Sequence, residues 1–341
     1  MSDLQRPRGT RFLASWLLGA LALGISTSPA GGEALPIADP RLARLFAGTA
    51  PQTADDLRAM ERHMTRLFDS VRPAVLHLRI GVSHGSGVLV TPDGYAVTAA
   101  HVVGAPGKQV VAQFPDGRSA VGRTLGVDLE HDLCLIKLEG PGPWPYISLS
   151  PKSRFSAGQW CVALGHPGGF DPDRGPVVRL GRILDVDDVL RTDCQLIGGD
   201  SGGPLVDMEG RLMGIHSRIG TSLANNLHVP VTHVRESWDD LVQGEIRRGQ
   251  SYIGVRGDAS MPECRITSVT PNSPAARAGI QVGDVVTHFC GQRVWSISEL
   301  VMLVQMRRPG ERIFLEIERQ EAEQRIDFRI GRRPRSTESR T

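Results

Sequence analysis

The run Gly198-Gly199-Asp200-Ser201-Gly202-Gly203-Pro204-Leu205 constrains this chain more than any other stretch. Four glycines within six residues, closed by a proline, exclude a helix and call for a tight turn, because glycine alone reaches left-handed backbone without strain. A serine at the centre of such a turn is exposed to reaction. Its hydroxyl is a weak nucleophile that needs an adjacent base, and the intermediate it forms needs donors aimed at the new oxyanion. The amides of Gly199 and Ser201 can supply those donors, because glycines at 199, 202 and 203 let the backbone approach closely. The plain alternative is a Gly-rich hairpin that carries a serine incidentally.

A base and its orienting acid stand upstream. His101 ends the β-prone run Ala96-Val97-Thr98-Ala99-Ala100, and histidine titrates close enough to neutrality to take a proton and return it. Asp132 opens the apolar run Leu133-Cys134-Leu135-Ile136, which reads as a buried strand, and a carboxylate there can hold the imidazole tautomer. Each residue alone has an ordinary structural explanation. Taken together they follow the order His, Asp, Ser, which is that of chymotrypsin and differs from the subtilisin and α/β-hydrolase orders.

Composition fits an exported enzyme of more than one domain. A chain of 341 residues is long enough for two or three cores, and a formal net charge of +2 gives no reason to expect nucleic acid as a partner. Its 39 glycines and 23 prolines, with few long helical patterns, favour a mainly β body. Arg6, Arg8 and Arg11 precede the apolar residues 12–25, with small residues at Ser28 and Ala30, so residues 1–30 read as a signal peptide, an uncleaved anchor staying open beside it. The five cysteines are an odd number, and no CxxC or HxxxH pair occurs, so no metal site is expected. Cys134, Cys161 and Cys194 are expected as small buried hydrophobes; a Cys264–Cys290 bridge is open but is not the expectation.

Residues 71–332 resemble the HtrA (DegP-like) family of trypsin-fold serine proteases with a C-terminal PDZ domain. The resemblance is carried by Val71-Arg72-Pro73-Ala74-Val75, Gly85-Ser86-Gly87-Val88, Thr98-Ala99-Ala100-His101, Asp132-Leu133, Gly165-His166-Pro167-Gly168, Thr192-Asp193, the Ser201 turn and Val229-Pro230. It implies a mainly β fold, a trypsin-like double Greek-key β-barrel followed by one α+β PDZ domain. The expected boundaries are a partly helical extension at 31–70, the protease domain at 71–235, a charged helical linker at 236–250, the PDZ domain at 251–332 and a disordered basic tail at 333–341. One departure stands out. The family usually has Asn before the nucleophile, whereas Asp200 stands here as in activated trypsin-like enzymes, whose aspartate pairs with an N-terminus released by cleavage; no such cleavage site is evident, which leaves an arginine nearby, a solvated carboxylate or a plain turn residue as the readings of Asp200.

The same resemblance implies an endopeptidase acting on unfolded or damaged protein, periplasmic or secreted, with no cofactor; the alternative is a non-catalytic PDZ-bearing binding or chaperone-like scaffold. His101, Asp132 and Ser201 would be the triad, Gly199 and Ser201 the oxyanion amides, and Ser217 the serine that supports the aspartate. Gln195 occupies the position six before the nucleophile where trypsin-like enzymes keep an acid, so a basic side chain loses its main attraction; Ile215 and His216 are candidates for the opposite pocket wall. The helical spacing of Leu57, Met60, Met64, Leu67 and Phe68 predicts a helix over 54–68, packed on the protease body or serving a homo-trimer contact. In the second domain, Tyr252, Ile253, Gly254 and Val255 would cradle a peptide's terminal carboxylate while the peptide adds a strand beside Val255, closed on the other side by a helix at 297–306.

Overall fold

The structure is a computed structural model that describes residues 32, 34–219, 226–258, 261 and 263–333. The expected signal peptide and the basic tail beyond 333 lie outside the described residues. Among the described residues no helix is long and apolar enough to cross a membrane.

Two helices, the short α1 (Pro40–Phe46) and the 18-residue α2 (Ala54–Val71), precede the barrels. α2 starts at a reciprocal cap: Thr53 Oγ1 accepts from the Asp56 amide at 3.1 Å, and Asp56 Oδ2 accepts from the Thr53 amide at 2.9 Å. Its buried face repeats at helical spacing through Met60, His63, Leu67 and Val71. That face lies on the turn that joins two strands of the second barrel: His63 Nε2 is 2.6 Å from the Met208 carbonyl, and Leu67 and Val71 crowd Gly210.

The first barrel consists of β1 (Val75–Ile80), β2 (Ser83–Leu89), β3 (Tyr95–Ala99), β4 (Gln109–Gln113), β5 (Ser119–Asp128) and β6 (Leu133–Leu138), with the one-turn helix α3 (Ala100–Val103) between β3 and β4. Neighbours run β4-β1-β2-β3-β6-β5, and β5 pairs with both β4 and β6, which closes the cylinder. β6 is apolar and buried along its whole length save Lys137, as a strand covered on both faces must be. The second barrel closes β7 (Trp160–Gly165), β8 (Val177–Val186), β9 (Leu190–Thr192), β10 (Pro204–Val206), β11 (Leu212–Ile219) and β12 (Asn226–Pro230) in the order β10-β11-β12-β9-β8-β7.

Helices α4 (Val231–Glu236) and α5 (Trp238–Val242) lead out of that barrel. The helix expected through 250 stops much earlier. Gly244 takes φ 81°, the left-handed turn that ends a helix, and residues Ile246–Arg247 then form β13, paired in parallel with Val127 and Asp128 of β5. The C-terminal unit joins β14 (Ser251–Tyr252), β15 (Val255–Gly257), β16 (Ile266–Val269), α6 (Pro274–Arg277), β17 (Val285–Phe289), β18 (Gln292–Arg293), α7 (Ile297–Gln305), β19 (Arg312–Arg319), β20 (Ala322–Arg329) and β21 (Gly331–Arg332). It has a core of its own around Ile266, Phe289, Leu300, Leu303, Leu315 and Ile317.

Candidate active site

His101 and Asp132 come from adjoining ends of the first barrel. β3 and β6 pair as far as Ala99 and Leu133, so the residues just beyond, in α3 and before β6, leave the sheet side by side. Asp132 takes φ 59°, a left-handed conformation that a short polar side chain tolerates best, and its carbonyl accepts from the Ala100 amide at 3.1 Å. The carboxylate is almost fully buried. Asp132 Oδ2 lies 2.9 Å from His101 Nδ1, Oδ1 accepts from the His101 amide at 3.0 Å, and Ser217 Oγ of β11 donates to Oδ2. Burial pulls the imidazole's proton affinity down, but the charge of Asp132 and its hydrogen bond outweigh that, and the His101 pKa is raised above its ordinary value.

Ser201 sits in a turn braced against the first barrel. Its carbonyl accepts from the Ser86 amide at 2.8 Å, Ser86 Oγ donates to the Gly199 carbonyl at 2.8 Å, and a side chain at Gly202 would collide with Thr98 and Ser86. Two carbonyls of the turn are engaged within the protein. Gly198 O accepts from Gly168 N at 2.8 Å and Asp200 O from Gly203 N at 2.9 Å. In a trans peptide the N–H points opposite to the carbonyl, so the amides of Gly199 and Ser201 face the other way. Neither donates to any described residue. Among the described residues Ser201 Oγ has no hydrogen bond to His101 Nε2, a contact that often tightens only in the substrate complex.

The pocket candidates fare differently. Gln195 is exposed, whereas Ile215 is fully buried in the second barrel and His216 is buried beneath Gly203, so neither stands on an open wall, and the expected opposite wall is corrected accordingly. Arg218, which follows Ser217, donates to the Met306 carbonyl at the end of α7 and lines a neighbouring cleft that Asp132 and Ser217 border but His101 and Ser201 do not. The position after Ser217 was the available signal for it. A cleft of about 970 Å³ opens there, lined by Asp132, Ser217, Arg218, Asp187, Asp188 and Arg308.

Around the second barrel's inner histidines the tautomers follow from the partners. His216 Nε2 faces the Leu164 carbonyl at 3.1 Å and so carries its proton there; its Nδ1 accepts from His228 Nδ1 at 2.8 Å, and His228 Nε2 accepts from Thr192 Oγ1 at 2.8 Å. Burial lowers both rings, His216 well below the ordinary value and His228 to about 3. The five cysteines are free thiols, with Cys134, Cys161 and Cys194 buried and Cys161 Sγ 4.0 Å from Cys194 Sγ.

In the C-terminal unit, Tyr252, Ile253, Gly254 and Val255 line one side of a groove of about 840 Å³, and Ile297, Leu300, Val301 and Val304 of α7 line the other. Gly254 takes φ 89°, and the amides of Ile253 and Gly254 donate to no described residue. Gly104, Ala105 and Pro106, which follow α3, close one end of the groove.

Comparison with known proteins agrees with this architecture. The trypsin-like peptidase domain family matches residues 85–215, and the PDZ domain family matches residues 265–319. A protein of Pseudomonas putida (strain GB-1) named "Probable periplasmic serine endoprotease DegP-like" is 30% identical over 272 residues, which cover 74% of this chain and 57% of that protein. One of the same name from Chlamydia pneumoniae is 30% identical over 274 residues, covering 74% and 55%. The chain thus spans little more than half the length of these relatives. Among solved structures, the serine endoprotease from Yersinia pestis aligns at 26% identity and a TM-score of 0.49, over 84% of this chain and all of its own. A trypsin-like peptidase domain followed by a PDZ domain, in one stretch shared with DegP-like endoproteases, places this chain in the HtrA family.

Proposed function

We propose that the chain is an exported, periplasmic serine endopeptidase that hydrolyses unfolded or damaged proteins, its PDZ domain taking C-terminal peptides. The observation that carries the reading is the Asp132 carboxylate held between His101 Nδ1 at 2.9 Å and Ser217 Oγ, which leaves Nε2 of the same ring for Ser201. In this reading Ser201 Oγ attacks the scissile carbonyl while His101 takes its proton. The Gly199 and Ser201 amides receive the oxyanion, and His101 then protonates the leaving amine before water repeats the sequence on the acyl-enzyme. Asp132 keeps the proton on Nδ1 and stabilises the imidazolium without itself being protonated. The protease domain is assigned to 71–235 and the PDZ domain to 251–332. The relatives' names, which place them in the periplasm, support the location.

Labelling by a fluorophosphonate, followed by mass spectrometry, tests the assignment, because the phosphonyl group is captured only by an activated serine beside working oxyanion donors. The expected result is one adduct, on Ser201, and loss of casein cleavage in Ser201→Ala. His101→Ala should be nearly as damaging, and the double variant no worse than either, since such residues act as a unit. Turnover by Ser201→Ala equal to that of the unsubstituted chain rejects the reading.

A further inference from the structure

Asp200 is fully buried directly behind the nucleophile, where a charge needs a partner. Its partner is Arg179 of β8, whose own side chain is only 17% exposed: Nη2 lies 2.9 Å from Oδ2, and Nη1 donates to Oδ1 at 3.2 Å, a two-pronged pairing. The carboxylate also binds the turn itself. Ile197 N donates to Oδ2 at 2.9 Å, Asp200 N donates to the Ile197 carbonyl at 3.1 Å, and the Asp200 carbonyl receives Gly203 N at 2.9 Å. Asp200 therefore ties together both ends of the segment 197–203 that carries the Gly199 and Ser201 amides. Space for the carboxylate is made by Gly165 of β7, where a side chain would fall 2.4 Å from Asp200 Oδ1.

We propose that Arg179 is a positioning residue for the hydrolytic site: as an internal counter-ion it holds Asp200, and through it the turn that aims the two oxyanion amides, so that the site assembles in the intact chain without a cleavage-generated amine. The proposal rests on the hydrolase reading given above. Burial leaves the Asp200 pKa raised above the ordinary carboxylate value even though the Ile197 amide, Arg179 and the more distant Arg174 oppose it. Arg174 cannot substitute for Arg179, because its guanidinium is engaged with the Pro167 carbonyl and Asp171. Removing Arg179 alone leaves a buried carboxylate without a counter-ion, which is more damaging than removing both charges together. The turn would then relieve the cost by moving Asp200 toward water, carrying the Ser201 amide with it.

The test uses the full chain with Arg179→Ala, Arg179→Lys, Asp200→Asn and the double variant Arg179→Ala/Asp200→Asn. Readouts are the fluorophosphonate labelling rate at Ser201, kcat and KM on a peptide substrate, and the near-ultraviolet circular dichroism of the fold. Arg179→Ala should lower kcat about 100-fold, the scale of losing one oxyanion donor. KM should change less than about threefold, Arg179→Lys should recover part of the loss, and added guanidinium ion should restore part of the labelling rate. In the Asp200→Asn background, where a neutral amide still accepts from Ile197 N, Arg179→Ala should cost less than about threefold. That background also serves if Arg179→Ala alone does not fold. An Arg179→Ala protein labelled as fast as the unsubstituted chain, or losses that simply multiply in the double variant, overturns the positioning role alone. Failure of the unsubstituted chain to be labelled at Ser201 overturns the hydrolase reading and the proposal with it.

Discussion

The histidine pair inside the second barrel shows how much one proton can matter at the scale of a residue. The chain of donors from Thr192 through His228 and His216 to the Leu164 carbonyl is satisfied with both rings neutral, and burial opposes placing a charge on either. Once unfolded, each ring binds its proton near pH 6.5, whereas folded His228 does so only at about 3. Between those values the unfolded chain holds more protons, so stability falls as pH drops through this window. His101 and His131 work in the opposite sense, because despite burial Asp132 and Asp128 hold them above their ordinary value. The pair is therefore isolated by difference: His228→Gln should melt at a lower temperature than the unsubstituted chain at pH 7.5, with a smaller further drop by pH 4.5. Thermal melts at the two pH values check this, and parallel losses would remove the pair from the account. The proposed triad of His101, Asp132 and Ser201 could be read from the sequence because each sits in a short run whose composition suits its task. Arg179 could not, although an acid at 200 in place of the usual Asn was a demand for a cation; its answer lies on another strand, and register across a barrel is not written locally.

Among the elements, α2 was the most legible, since an amphipathic period of 3.6 is a signal carried wholly within the segment. The expected span 54–68 is observed as Ala54–Val71, extended because Val71 continues the buried face. Its packing on the second barrel's own turn predicts measurable costs. Leu67→Ala removes a fully buried side chain wedged beside Gly210 and should destabilise by about 2–5 kcal/mol, while Thr53→Ala should cost about 1 kcal/mol through the lost cap. Urea titrations read both, and a Leu67→Ala midpoint unchanged from the parent would mean that α2 does not brace the barrel. The segment 236–250 was misread because its charge pattern suits a helix, yet Gly244 and the end of β5 beyond its pairing with β4 decide otherwise. For the pocket wall the expectation failed because β11 buries both Ile215 and His216, while the next residues, Ser217 and Arg218, border a cleft against the C-terminal unit.

At the scale of the whole molecule, the groove between β15 and α7 reaches Gly104, Ala105 and Pro106, directly after the helix that carries His101. A peptide with a free apolar C-terminus should bind residues 32–341, and amidating that terminus should weaken binding at least tenfold, because the Ile253 and Gly254 amides then lose a charged acceptor. Calorimetry with paired free-acid and amidated peptides decides it, equal affinities removing the carboxylate cradle. The division into barrels and PDZ domain was legible from the order of short motifs. How the parts meet was not, because contacts such as Arg308 with Asp188 depend on surface geometry. The pairing of Ile246 and Arg247 with β5 sets the remaining freedom. Only residues 248–250 lie between β13 and β14, and three extended residues reach no farther than ~10 Å. On so short a leash the PDZ domain stays beside the barrels. In the proposed reading, a chain end held in its groove is kept near the protease domain at a local concentration on the order of millimolar, unaffected by dilution of the protein.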